Sequence, residues 1–220
     1  RDRTQPAPGA MPWREFIRQR SRSVHFPQIA QDDTAFILYT SGTSGKPKGA
    51  PLTHGNIVSV LKAGMEWLED WGAVREKVLG VLPMFHIYGL ALNYALPLSI
   101  GAEMVLVPAP KPKLYQAAIT KTRPTVLPGV PTLYDKIIEW AVESNADLSS
   151  IHTSISGAST LPVETIERWE NATGGRLIEG YGLTETAPIL AGNPLDGTRR
   201  PGYIGLPFPN TEIRIADPQD

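Results

Sequence analysis

The sequence predicts an α/β fold, a mostly parallel sheet with helices on both faces, followed by the beginning of a β subdomain. From Ala35 to Glu179, short apolar runs of strand length alternate with amphipathic stretches of helical spacing. Such regular alternation points to parallel strands whose crossover helices cover the sheet. Near Pro188 the rhythm changes. Gly192 to Gly202 is turn-rich, and Tyr203–Leu206 and Thr211–Ile215 alternate like half-exposed strands. Residues 1–32 therefore read as a linker with a short helix, 33–191 as the α/β subdomain and 192–220 as the start of a β subdomain that the chain leaves unfinished.

Composition narrows the function classes. A chain of 220 residues with 41% apolar content suffices for one cored domain. With no cysteine there is neither a disulfide nor a thiolate metal site. His25, His54, His86 and His152 show no metal-ligand spacing, and a net charge of −1 argues against a general nucleic-acid binder. The longest apolar run, Ile87–Ile100, is interrupted by Asn93, Pro97 and Ser99 and is too short to span a bilayer. With no signal peptide recognised, the expectation is a cytoplasmic protein.

The elements follow in order. Arg1–Ala10, with Pro6, Pro8 and Gly9, reads as a linker, and Met11–Arg20 as a short helix with Trp13, Phe16 and Ile17 on one side. Ser21–Asp33 connects to a first strand at Ala35–Tyr39. Beyond a glycine-rich loop, Thr53 caps a helix marked by Ile57, Val60, Leu61, Gly64, Met65 and Leu68. Strands are predicted at Val78–Leu82, Glu103–Val107, Thr125–Leu127, Ser154–Ser156 and Leu177–Glu179. Helices are predicted at Ile87–Ser99, Leu114–Lys121, Pro131–Ser144 and Pro162–Thr173, the last with proline near its first turn. Ligands of such sheets sit outside the carboxyl ends of the strands. That rule gathers four loops: Thr40–Gly49, Pro83–His86, Gly157–Leu161 and Gly180–Thr186.

The stretch Tyr39–Ala50, YTSGTSGKPKGA, holds the most chemistry. Gly42, Gly45 and Gly49 permit close backbone approach to a ligand. Thr40, Ser41, Thr43 and Ser44 offer hydroxyl donors to phosphate oxygens, and Lys46 and Lys48 add positive charge. A strand entering a loop of exposed amides and cations suits a polyphosphate. It is not a Walker A loop, because Gly45-Lys46 is followed by Pro47 and the leading glycine is missing. The plainer alternative is a flexible surface loop. In Gly180–Thr186, Tyr181 can pack on a planar base, Thr184 offers a hydroxyl to phosphate, and Glu185 is a hard oxygen ligand suited to magnesium. A turn with Thr184 and Glu185 as cap residues is the alternative. Gly157-Ala158-Ser159 is small enough for a flat ligand to lie on its backbone, or is simply a capped turn. His86 stands at the cleft with no partners for triad chemistry.

Taken together the motifs resemble the acyl-adenylate-forming superfamily of acyl-CoA synthetases, peptide-synthetase adenylation domains and beetle luciferases, and most of all the bacterial long-chain fatty acid–CoA ligases. YTSGTSGKPKG is similar to that family's phosphate-binding loop, with Ser44 where threonine is common. PMFHIYG at 83–89 is similar to its aromatic–histidine segment, GASTLP at 157–162 to its adenine-side loop, and GYGLTET at 180–186 to its second signature. These motifs occur in the family's order and cover about residues 33–217. Each alternative above accounts for one motif, and none accounts for all in order.

The resemblance implies that an acid's carboxylate attacks the α-phosphorus of ATP to give acyl-AMP and pyrophosphate, after which the CoA thiol displaces AMP. It implies that Thr40, Ser41, Gly42, Thr43, Ser44, Gly45, Lys46 and Lys48 hold the β- and γ-phosphates. Gly157, Ala158, Ser159, Glu179, Gly180, Tyr181 and Gly182 would line the adenine site. Thr184 would contact phosphate oxygens, Glu185 would bind magnesium, and His86 would sit between nucleotide and acyl group, with Lys48 also assigned to catalysis. Leu90 stands where long-chain enzymes often carry a tunnel-gating tryptophan, and Pro128–Tyr134 resembles the acyl-side segment, its apolar character favouring a fatty acid. The partners expected are a fatty acid, ATP and CoA, with no nucleic acid, and a homodimer in full-length form. Some members associate with membranes, although no basic membrane-surface helix is evident in this sequence.

The resemblance also implies that the ribose-binding aspartate, the hinge and the catalytic lysine lie beyond Asp220, so the chain is expected to be a central portion with little turnover of its own. A carrier-protein-loading enzyme, an enzyme that stops at acyl-AMP, a non-catalytic nucleotide module and an ADP-forming phosphotransferase are the alternatives.

Overall fold

The computed structural model describes residues 10–18, 26–41, 45–68 and 75–217. The linker at residues 1–9, the end of the first predicted helix, His25, and Gly42, Thr43 and Ser44 lie outside the described residues. The chain divides into two compact units, Arg1–Ala30 and Gln31–Asp220. In the first, the predicted helix is a single turn, α1 (Trp13–Phe16), opened by Pro12, whose carbonyl accepts from the amides of Glu15 and Phe16. So short a helix gains too few backbone bonds to propagate without packing, and Phe16 and Ile17 are exposed.

In the second unit, β1 (Thr34–Thr40) pairs antiparallel with β2 (Lys48–Thr53), and the two form a sheet of their own. This corrects the expectation that the first strand belongs to the parallel sheet. The glycine-rich stretch is a hairpin connection, and strands joined by so short a link can pair only antiparallel. Leu52 on β2 is buried, with Leu38 of β1 packed against the same small cluster. The chain turns at once into α2 (His54–Trp67). Thr53 Oγ1 accepts from the Asn56 amide at 3.1 Å while Asn56 Oδ1 accepts from the Thr53 amide at 3.0 Å, a reciprocal cap.

The large sheet comprises β3 (Lys77–Gly80), β4 (Glu103–Leu106), β5 (Val126–Gly129), β6 (Thr153–Ser156), β7 (Arg176–Tyr181), β8 (Ala191–Gly192) and β9 (Leu206–Pro207). Its order is β4-β3-β5-β6-β7-β8-β9, parallel through β7 and antiparallel in the last two pairings. Helices cover both faces, as predicted. On one face α5 (Pro112–Thr122), α6 (Pro131–Ser144) and α7 (Val163–Thr173) bury Tyr115, Ile137 and Trp169 against Leu79, Leu127 and Leu177. On the other, Leu68, Tyr88, Leu92 and Leu96 pack on Ile155 and Ile178. Only Leu206 of the predicted Tyr203–Leu206 strand enters β9, and residues 211–217 take no regular secondary structure. Ile213 and Ile215 alternate in sequence but remain exposed.

The helix predicted after His86 is composite: α3 (Ile87–Leu90), a π turn at Ala91–Ala95 and α4 (Leu96–Ile100). Pro97 lacks the N–H that an α-helix would direct at Asn93, and the turn ahead of it widens, the Leu96 amide bonding the carbonyl of Ala91. Among the described residues, no helix is long and apolar enough to cross a membrane.

Candidate functional site

A cleft of about 340 Å³ opens at the carboxyl ends of β6 and β7, within the size range of small-molecule sites. It brings together Thr40 from the hairpin, His86 from the turn before α3, Gly157 and Ala158 after β6, and Gly180, Tyr181, Gly182, Thr184 and Glu185 at and after β7. The loops that the sheet rule gathered thus each reach one cavity, although Thr40 arrives from outside the parallel sheet.

His86 is oriented by its own backbone. Its Nδ1 accepts from the Tyr88 amide at 3.2 Å, so the neutral ring carries its proton on Nε2 and has a donor left to offer. Tyr88 forms part of the floor. Its buried phenol reaches the carbonyl oxygens of Ile155 at 2.7 Å and Gly129 at 3.2 Å, and burial pushes it far above the ordinary tyrosine range. Its ring lies close under Gly157, where a Cβ would come within 3.2 Å of Tyr88 Cζ. Gly157 therefore presents bare backbone to whatever occupies the cleft.

The wall after β7 is a 3-10 turn, Thr184–Thr186. Thr186 holds it: the Thr186 hydroxyl accepts from the Leu183 amide at 2.9 Å and lies 3.1 Å from the Pro188 carbonyl. The capping work therefore falls to Thr186, and Thr184 and Glu185 are among the residues that line the cleft. Gly182 is where this turn folds back on itself, since a Cβ there would stand 1.6 Å from Pro188 O.

Ser41, Gly45, Lys46, Lys48, Ser159 and Glu179 do not line the cleft. Lys48 is near it all the same, as the register partner of Thr40 across the hairpin. Glu179 is buried, with its carboxylate on the Leu161 amide at 3.3 Å. Leu90 lines a separate apolar groove of about 490 Å³ between α2 and the composite helix, with Ile57, Val58, Tyr94 and Leu98. No residue of Pro128–Tyr134 lines the cleft, and that segment lies behind it, joined through Tyr88. Sequence reasoning missed Ile155, Pro188 and Ile189, which give the cavity its apolar back. Ile155 was detectable, since it alternates with Ser154 and Ser156 on a strand covered on both faces. Nothing local marks Pro188 and Ile189, which reach the site through the fold-back at Gly182.

The donor set bears on magnesium. Among the described residues there is no cluster of three or more acidic or histidine side chains able to cage an ion. Glu185, next to Thr184 in the cleft lining, is a single hard carboxylate that suits an ion completed by phosphate oxygens and water, which is how Mg²⁺ is commonly held. Bound there, the ion would neutralise phosphate charge.

Comparison with known proteins places the chain in a family. The chain is 40% identical over 201 residues to a long-chain-fatty-acid–CoA ligase of Bacillus subtilis, a match covering 90% of this chain and 36% of that protein. It is 38% identical over 201 residues to a mitochondrial malonate–CoA ligase of Xenopus laevis, covering 84% of this chain and 34% of that one. The chain thus spans little more than a third of the length of the curated relatives it matches. The crystal structure of an anthranilate CoA ligase in complex with anthranoyl-AMP superposes with a TM-score of 0.83 at 27% identity, covering 98% of this chain and 42% of that one. The model of the AMP-binding enzyme family matches residues 3–220, and with its motifs converging on one cleft, the chain belongs to that family.

Proposed function

We propose that the protein activates a hydrophobic carboxylic acid, of the fatty acid class, at the expense of ATP. A carboxylate oxygen attacks the α-phosphorus and pyrophosphate leaves, giving acyl-AMP; the sulfur of CoA then attacks the acyl carbon, AMP leaves and acyl-CoA forms. The observation that carries this reading is the convergence of Thr40, His86, Gly157, Gly180 and Thr184 on one cleft from separate segments. Catalysis in such a site is positioning and charge neutralisation. Gly157 and Gly180 offer bare backbone to a flat base and Ala158 only a methyl group, with Tyr181 at its edge. Thr184 donates to phosphate oxygens, and Lys46 and Lys48 on the hairpin beside Thr40 supply positive charge. His86 donates from Nε2 to an oxygen where nucleotide and acid meet. Glu185, with phosphate oxygens, holds magnesium.

The apolar back formed by Ile155, Pro188 and Ile189 supports a hydrophobic acid. The name of the Bacillus subtilis relative supports the same substrate class. Loading of a carrier protein in place of CoA remains the second reading.

Calorimetric titration with a non-hydrolysable fatty acyl-AMP mimic, against AMP alone, tests the proposal. Tighter binding of the mimic is the expected result. Equal affinity for both ligands counts against an acyl site, and absence of binding by either counts against the adenylate reading of this chain.

A further inference from the structure

Glu179 is an ionisable side chain beside the cleft that the reaction above does not use. It is 7% exposed. Ile178 before it packs on the face of Leu92 and Leu96, and successive strand residues point to opposite faces. Glu179 therefore turns with Leu177 toward the face covered by α7, away from the cleft. There its Oε1 accepts from the Leu161 amide at 3.3 Å. Its register partner across β6–β7 is Ser156, whose buried hydroxyl has no hydrogen-bond partner. Burial raises the Glu179 carboxyl above the usual carboxylate range, and the Leu161 amide only partly offsets this.

The Leu161 amide closes the far end of the loop that forms one wall of the cleft. At its near end the Gly157 amide bonds the Gly129 carbonyl at 3.3 Å. Between them Ala158 takes φ 68°, the left-handed region. A residue bearing a Cβ stays there only when its surroundings hold it. The Leu161 side chain, buried in the main core, fixes the same end by packing.

We infer that Glu179 is a positioning residue: its carboxylate clasps the Leu161 amide and so holds residues 157–161 in the shape in which Gly157 and Ala158 line the cleft. Without that oxygen the Leu161 N–H loses its partner, Ala158 relaxes, and a ligand must order the wall as it binds. The role of the clasp in ligand binding rests on reading the cleft as an adenylate site, whereas the clasp itself does not.

The test compares the full chain with Glu179→Gln, which keeps an acceptor oxygen, and Glu179→Met, which does not; Glu179→Ser replaces the Met variant if that one does not fold. Amide hydrogen exchange across 157–161 should match wild type in the Gln variant, with a thermal midpoint equal or higher. In the Met or Ser variant it should speed up about tenfold, the effect of one buried hydrogen bond, while β5 and α6 stay protected. Unchanged exchange without the acceptor overturns the inference, as does equal loss in the Gln variant. AMP titration adds the functional arm, with affinity falling about tenfold without the acceptor and within about twofold of wild type in the Gln variant. Wild-type affinity in a variant whose loop has loosened also overturns the inference. If the wild-type chain binds no AMP, the adenylate reading fails, and the exchange result alone decides whether the clasp exists.

Discussion

The phenols of Tyr88 and Tyr134 meet on one acceptor: each lies 2.7 Å from the carbonyl oxygen of Ile155. One tyrosine comes from the helix that follows His86, the other from α6 on the opposite face of the sheet. Between them they tie the carboxyl end of β6 to both layers, directly beneath the cleft.

This shared acceptor makes the two hydroxyls interdependent. Tyr88→Phe or Tyr134→Phe alone leaves the Ile155 carbonyl one phenol and should cost about 1 kcal/mol. The double variant leaves it with neither phenol and should exceed the sum of the singles by about 1 kcal/mol. Urea denaturation of the four proteins measures the coupling, and strict additivity would contradict the geometry.

Alkaline pH should expose the same pair. Burial holds both phenols above the ordinary tyrosine range, and for Tyr134 the neighbouring Tyr88 adds to the effect. The unfolded chain releases these protons near pH 10 while the native protein keeps them, so stability falls as pH rises above about 10. Each group contributes up to about 1.4 kcal/mol per pH unit there. The slope of unfolding free energy between pH 10 and 11 should drop in Tyr88→Phe and again in the double variant.

Gly182→Ala tests the fold-back of the signature turn. With Pro188 O only 1.6 Å from the new Cβ, the backbone has to move. A displacement of about 1 Å at such a wall costs on the order of 10²-fold in a positioned reaction, and AMP affinity should fall at least about tenfold. Gly197→Ala, where a Cβ meets nothing within 4 Å, is the silent control in the same titration.

Arg199 forks onto Glu170 of α7, each of two nitrogens 2.6 Å from a carboxylate oxygen, with both side chains largely buried. Removing the guanidinium leaves the carboxylate with the Leu177 amide and Arg176 at 3.6 Å. Arg199→Ala should therefore destabilise by about 2–3 kcal/mol. Arg199→Lys should recover only part of this, because an ammonium cannot fork. Faster proteolysis of residues 193–205 in both variants, relative to wild type, would locate the effect in the segment that Arg199 anchors.

The strand–helix alternation was legible because several parallel strands, as at Val78 and Val126, are short apolar runs between turn residues. The hairpin was not. Gly49, Ala50 and Pro51 carry no β-branched or aromatic side chain, and the pairing that makes β2 a strand comes from Phe36–Thr40 across the turn. Cleft residues inside motifs, such as Gly157 and Thr184, could be read directly. Glu179 could not be placed by motif alone, since strand alternation turns its carboxylate to the far face of the sheet. Ile189 enters the cleft only because Gly182 lets the chain double back.

The π turn at Ala91–Ala95 also preserves a phase. An α-helix advances each residue by about 100°, and a single widened π turn absorbs one extra residue without passing that rotation on to the turns around it. His86 and Tyr88 address the cleft, while Leu92 and Leu96 still pack on Ile155 and Ile178. Removing the surplus residue would close the turn to the α-helical pattern with His86 and the anchoring leucines still in phase, whereas one residue added or removed in the regular α turns on either side would swing them about 100° apart. The widened turn thus stores one surplus residue that the two flanking faces never register.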